Sequence, residues 1–337
     1  MKKLFNLIAS FVLLAGFSAC NKDGSDKPGL PPAPVPTVNY KGLTFISSGK
    51  STVCLAKVGA PDEITLEYST DESQWNPYTI GEKISMADGS FLLFRAGEQK
   101  NLTFSKGSDS YYHFEISGPV TAQGNIMSLL DRDFSTPLST NAFFALFEGC
   151  TSLLSAPELP ATTMEQGCYF RMFAECTGLK SAPELPAKEL AYNCYGWMFK
   201  GCSALTYVPD LPATEMVSYC YNNMFANCTS LKFAPELPAT RLDMGCYHCM
   251  FEGCTSLTSA PELPATVLVS NCYEFMYKDC RNLRYVIGLF TTEPSEKTTK
   301  DWLSGVAASG TFIKSKKATW DVTSAHGVPE GWKIETW

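Results

Sequence analysis

Six cysteines, Cys150, Cys176, Cys202, Cys228, Cys254 and Cys280, stand 26 residues apart, and Cys168, Cys194, Cys220, Cys246 and Cys272 keep the same spacing. A period held without insertion means that each unit is one supersecondary element that buries its apolar side only against its neighbours, so the middle of the chain folds as a stack of coils.

Within a unit two patterns alternate. After Pro-Ala-Thr, apolar residues recur every four positions, as in Leu268, Cys272, Met276 and Cys280; this spacing predicts a helix whose cysteines face the core. The other part, Leu257, Ala260 and Leu263 with Pro261 and Pro264, has a stride of three and lacks amide donors at the prolines. That predicts short, broken strands. A unit of 26 residues lies in the leucine-rich-repeat window of roughly 20–29. The expected fold is an α/β leucine-rich-repeat solenoid with convex helices and short Pro-interrupted strands.

The cysteine series has three readings. Zinc needs convergent ligands, usually with close pairs, whereas spacings here alternate between 18 and 8. Two cysteines eight apart on one helix lie ~12 Å apart along its axis, beyond a disulfide's reach. The incomplete first unit carries Ala142 in a cysteine slot, so the slot accepts a small apolar group. Buried reduced thiols are the favoured reading, with cross-coil disulfides and metal as alternatives. Cys249 lies outside both columns, level with Ala145, Arg171, Trp197, Asn223 and Phe275, and is the candidate exposed, reactive thiol.

Upstream, Met-Lys-Lys precedes an apolar run over 4–17 and then Phe17-Ser-Ala-Cys20. The run is too short to span a bilayer as a helix, which needs ~20 residues. It reads as a signal peptide over 1–19, and the cysteine after small residues resembles the lipobox of bacterial lipoproteins, which implies Cys20 as the lipid-modified N-terminus. Residues 20–37 form a polar, Pro-rich tether. Residues 38–118 alternate β-branched and aromatic runs with turn formers, predicting a small β-sandwich-like domain; Cys54 within it reads as a buried apolar side chain. The solenoid with an N-terminal cap occupies 119–290. After Cys280 the repeat consensus ends, and 291–337, with a predicted short helix over 298–306, reads as the C-terminal cap.

With 27 basic against 34 acidic residues, a nucleic-acid partner is not expected. His113, His248 and His326 fall in three segments, and neither G-x-S-x-G nor H-E-x-x-H occurs, so the chain reads as no enzyme, with no catalytic, cofactor-binding or metal-binding residue. Glu158, Glu184, Asp210, Glu236 and Glu262 recur in register, read as a solvated acidic edge with a calcium site as the alternative. Tyr169, Tyr195, Tyr221, Tyr247 and Tyr273 read as a packing ladder. The two positions after the coil leucine change freely from coil to coil, which marks them as solvent candidates. They supply Tyr207, Phe233 and Tyr285 flanked by Lys180, Lys232 and Arg284, the candidate ligand contacts on the strand side.

The repeat Met-Phe-x-Gly-Cys-Thr-Ser-Leu-x-x-Ala-Pro-Glu-Leu-Pro-Ala-Thr, with 124–130 before it and Ser309-Gly-Thr-Phe312 and Val328-Pro-Glu-Gly-Trp332 after it, resembles the BspA-like leucine-rich-repeat surface lipoproteins of gut Bacteroidetes. The resemblance covers about 117–337. It implies a cell-surface-exposed lipoprotein of the outer membrane, held by its lipid alone. The implied function is adhesion to, or recognition of, a host matrix or cell-surface protein or another bacterial surface. A glycan-capturing lipoprotein of a nutrient-uptake system is the alternative.

Overall fold

The computed structural model describes residues 41–99, 102–320 and 326–337. Cys20, the signal peptide and the tether lie outside them. The first part is a two-layer antiparallel structure of nine strands: β1 Leu43–Ser47, β2 Ser51–Val58, β3 Leu66–Ser69, β4 Asn76–Tyr78, β5 Ile84–Met86, β6 Phe91–Ala96, β7 Ser105–Gly107, β8 Ser110–Ser117 and β9 Val120–Gln123. One sheet runs β9-β1-β6-β3-β4 and the other β5-β2-β8-β7. Phe45, Phe94 and Phe114 meet between the layers as edge-on pairs with centroids 5.1–6.0 Å apart. Cys54 of β2 is buried.

Both sheets continue into the coils. β10, Leu153–Ser155, pairs in parallel with β9, while the amide of Phe114 in β8 donates to Leu146 O in the first coil at 2.7 Å. The 3₁₀ turn Ile126–Leu129 is tied down by Ser128, whose hydroxyl accepts from Leu43 N at 2.9 Å and donates to Phe94 O at 3.2 Å.

No α-helix occurs among the described residues, which corrects the α/β solenoid with convex helices expected above: the coils are all-β and turn. In the stretch after Pro-Ala-Thr, alternate amides make different bonds. Cys168, Phe170, Met172, Ala174 and Cys176 each donate to the carbonyl three residues back, at 3.0–3.2 Å. The residues between them, Gly167, Tyr169, Arg171, Phe173 and Glu175, donate to carbonyls of the following coil at 2.7–3.0 Å. The result is an arch of consecutive β-turns stacked on identical arches, with these donors satisfied half within the coil and half between coils. An α-helix would direct every amide to the fourth residue back and leave nothing to bind the next coil.

The arch requires a left-handed residue every fourth position, here Gly167, Arg171 and Glu175 with φ of 58–60°. A four-residue period therefore keeps Met164, Cys168, Met172 and Cys176 on the inner side. On a helix, at 100° per residue, the same series would rotate about 40° per step.

On the opposite side Leu179, Ala182 and Leu185 are buried at a stride of three. Between coils this side makes isolated parallel bridges, such as Ser181 to Tyr207 and Phe233 to Ser259, because Pro183, Pro186 and their equivalents cannot donate. Where Tyr-Val-Ile-Gly replaces the prolines, regular pairing begins: β12 Tyr285–Gly288, β13 Thr311–Lys314 and β14 Lys333–Thr336 pair in parallel residue by residue, while β11 Ser259–Leu263, which keeps Pro261, joins β12 through an irregular register.

Residues 298–306 are likewise not a helix. Amides of Tyr273, Phe275, Tyr277 and Asp279 donate to carbonyls of Thr298, Lys300, Trp302 and Ser304, so this stretch is a further arch, closing the stack without the repeat consensus. Trp302, Phe290, Phe312 and Trp320 seal it, with ring centroids 5.3–6.4 Å apart. Trp302 and Trp320 donate to Gly327 O and Phe290 O respectively.

Candidate binding face

The side chains that pack the coils differ from those that face out. Two aromatic ladders run through the interior. Phe143, Tyr169, Tyr195, Tyr221, Tyr247 and Tyr273 stack at 5.7–6.0 Å, and Phe147, Phe173, Phe199, Phe225, Phe251 and Tyr277 at 5.3–5.7 Å. The tyrosine hydroxyls of the first ladder are buried, so this column presents no surface for a ligand.

The cysteines lie beside these ladders, and all thirteen described cysteines are buried free thiols. In the column from Cys150 to Cys280 each sulfur donates to a phenylalanine carbonyl of the preceding layer at 3.0–3.2 Å. In the other column Cys168 and Cys220 lie 3.7 Å from the sulfurs of Met164 and Met216. Burial pushes the Cys150, Cys194 and Cys254 thiols up to about 12.

Cys249, expected to be exposed and reactive, is only 6% exposed. Burial first, and then the Glu252 carboxylate, raise its pKa. Its sulfur lies 3.8 Å from His248 Nε2, which is itself 3.5 Å from Glu274. Burial lowers the His248 pKa. Thiolate–imidazolium formation, the step that makes a cysteine nucleophilic, is thus opposed from both sides.

The outward positions after the buried coil leucine form two columns. Lys180, Thr206, Lys232, Thr258 and Arg284 are exposed, so the cations recur every second coil, at roughly 9–10 Å from a ~4.8 Å spacing, which relieves their mutual repulsion. Beside them the column Ser181, Tyr207, Phe233, Ser259, Tyr285 is held by parallel pairing of Ser181 with Tyr207, Phe233 with Ser259, and Ser259 with Tyr285. Phe233 is 51% and Tyr285 38% exposed; Tyr207 is half-buried. The structure therefore brings Tyr207, Phe233, Tyr285, Lys180, Lys232 and Arg284 onto one side of the stack.

Next along the coil come Glu158, Glu184, Asp210 and Glu236, all exposed, and half-buried Glu262. The Glu236 amide donates to Asp210 Oδ1 at 3.3 Å. Among the described residues no three His, Cys, Asp or Glu side chains converge as metal ligands do. The face is a strip of cations, aromatics and carboxylates in parallel columns, suited to an extended polar partner that inserts apolar groups between the rings. Comparison with protein-family models, curated proteins and solved structures returns no match.

Proposed function

We propose that the protein is a lipid-anchored, surface-exposed lipoprotein of the outer membrane, whose coil stack binds a macromolecule of a host or bacterial surface without catalysing a reaction. The observation that carries this reading is the aligned strip of Lys180, Lys232 and Arg284 beside Tyr207, Phe233 and Tyr285. Exposed aromatics on rigid, in-register backbone give contact area at low entropic cost, and the flanking columns of cations and carboxylates fix the register of a partner. The leader ending at Cys20 supports the address, and the repeat's likeness to BspA-like surface lipoproteins supports the adhesion role. Among the described residues no helix is long and apolar enough to cross a membrane.

The test replaces Tyr207, Phe233 and Tyr285 together with Ser. Attachment of expressing cells to matrix proteins and host cells is then measured, with surface display and circular dichroism matched to wild type. Attachment should fall at least tenfold. Undiminished attachment by the displayed, folded variant overturns the reading.

A further inference from the structure

Where the arch turns toward the strand side, a groove of about 360 Å³ crosses four successive coils. It arises from the sequence of two columns. Bulk at Trp197 gives way to Asn223 and buried Cys249 before returning at Phe275, and the neighbouring column runs Lys200, Ala226, Glu252, Lys278. The small Ala226, 1% exposed, leaves a trough between Lys200 and Glu252. Lys200 lines one end with its Nζ 3.8 Å from the Trp197 ring centroid, and Glu252 in the middle pairs with Lys278 behind it at 3.7 Å. Gly253 lines the groove with φ +72°, and a Cβ there would come within 2.2 Å of Asn227 Oδ1. Bare backbone thus keeps the trough open.

The lining chemistry narrows the ligand. Lys200 and Arg281 are balanced by Glu252 and Asp279, while Asn223, Asn227, Thr229 and Thr255 add amides and hydroxyls; no apolar side chain lines the groove. A phosphate or sulfate would meet two carboxylates, and an apolar peptide anchor would find no pocket. A sugar hydroxyl is both donor and acceptor, so it can donate to a carboxylate while accepting from an ammonium, guanidinium or amide. Four coils at ~4.8 Å give a trough about 14 Å long, the scale of a short oligosaccharide. We infer that this groove binds a neutral oligosaccharide across Asn227, Glu252 and Arg281. Such a contact exchanges water hydrogen bonds for protein ones at small net gain, so affinity is weak, in the millimolar range.

The experiment uses the full chain with maltotriose, cellotriose, xylotriose and their longer homologues, read by saturation-transfer NMR and titration calorimetry. At least one neutral oligosaccharide should bind, and the Glu252→Gln, Arg281→Met double variant should weaken it at least tenfold. Thr229→Arg, at an exposed position, fills the groove without touching the core and should do the same. The Tyr207, Phe233, Tyr285 triple Ser variant should bind the sugar unchanged, separating this site from the attachment face. Binding of none of these sugars, binding of sialylated or sulfated glycans alone, or undiminished binding by Thr229→Arg overturns the inference.

Discussion

The thiol of Cys228 donates to the carbonyl oxygen of Phe199 at 3.2 Å, and the same oxygen accepts the backbone amide of Cys202 at 3.1 Å. Both lone pairs are used, one inside the coil and one from the next. The cysteine column is therefore a row of small apolar groups with a weak donor aimed at the preceding layer's spare acceptor. Cys228→Ala removes the thiol bond and leaves a small void, but Phe199 O keeps its amide partner. The expected loss is about 1–2 kcal/mol, read as a lower denaturation midpoint at unchanged m-value. An unchanged midpoint would mean that the thiol contributes only bulk.

Burial of these thiols is expected to make the fold sensitive to alkaline pH. Cys254 titrates from an ordinary value of 9.0 in the unfolded chain to about 12 when folded, chiefly through burial, and its column-mates move in the same direction. A group whose folded pKa is raised binds more protons folded than unfolded between these values, so its stabilisation is complete below pH 9 and is lost as pH rises toward 12. Stability should hold near neutrality and fall steeply above about pH 9. Native protein at pH 8 should resist iodoacetamide, while the unfolded chain, prepared without reductant, should label at all periodic cysteines. A regular set of disulfide-linked peptides would contradict the structure.

The period, the inward-facing columns and the exposed positions after the coil leucine were legible in the sequence, because burial and repetition act on side-chain identity alone; Cys249, expected to be exposed, is buried. The arch was not legible, because a four-residue spacing satisfies both a helix and a run of β-turns. Two signals separate them. Met164, Cys168, Met172 and Cys176 hold a period of four over three steps, whereas on a helix the last would lie about 120° from the first. The left-handed positions are also rich in Gly, Asn and Asp, as in Asn141, Gly167, Asn193, Gly245 and Asn271, with φ of 55–60°, and these residues favour turns over helix interiors. The extra arch at 298–306 was hidden because Trp302 and Thr298 replace the consensus residues while the backbone ladder, which carries no sequence, continues.

Tyr221 offers a test of the interior ladder. Its ring stacks between Tyr195 and Tyr247 at 5.7 and 6.0 Å, yet its hydroxyl is buried with no hydrogen-bond partner among the described residues. Burial of an unpaired hydroxyl costs about 1–3 kcal/mol. Tyr221→Phe keeps the stack, matches the Phe143 that opens the ladder, and should stabilise the protein by about 1 kcal/mol. A stabilised variant shifts the thermal midpoint upward; a loss would show that the hydroxyl is paired.

The first coil is predicted to need the β-sandwich beneath it. Phe147, which opens the second ladder, stacks on Phe114 of β8 at 5.1 Å and 14°. Cys150 donates its thiol to Phe114 O at 3.0 Å, the bond that every later coil receives from the coil before it. On the other side of the stack β9 supplies the parallel partner of β10. The sandwich thus presents to the first coil the ring, the carbonyl and the strand that a preceding coil would present. Removing residues 38–118 would expose Phe147 and leave Leu146 O and Cys150 Sγ without partners, uncovering apolar surface at a coil end. The truncated chain should aggregate or elute as oligomers, whereas the chain from residue 38 onward should be monomeric, as read by light scattering coupled to gel filtration. A soluble, cooperatively melting monomer lacking 38–118 would show that the coils cap themselves.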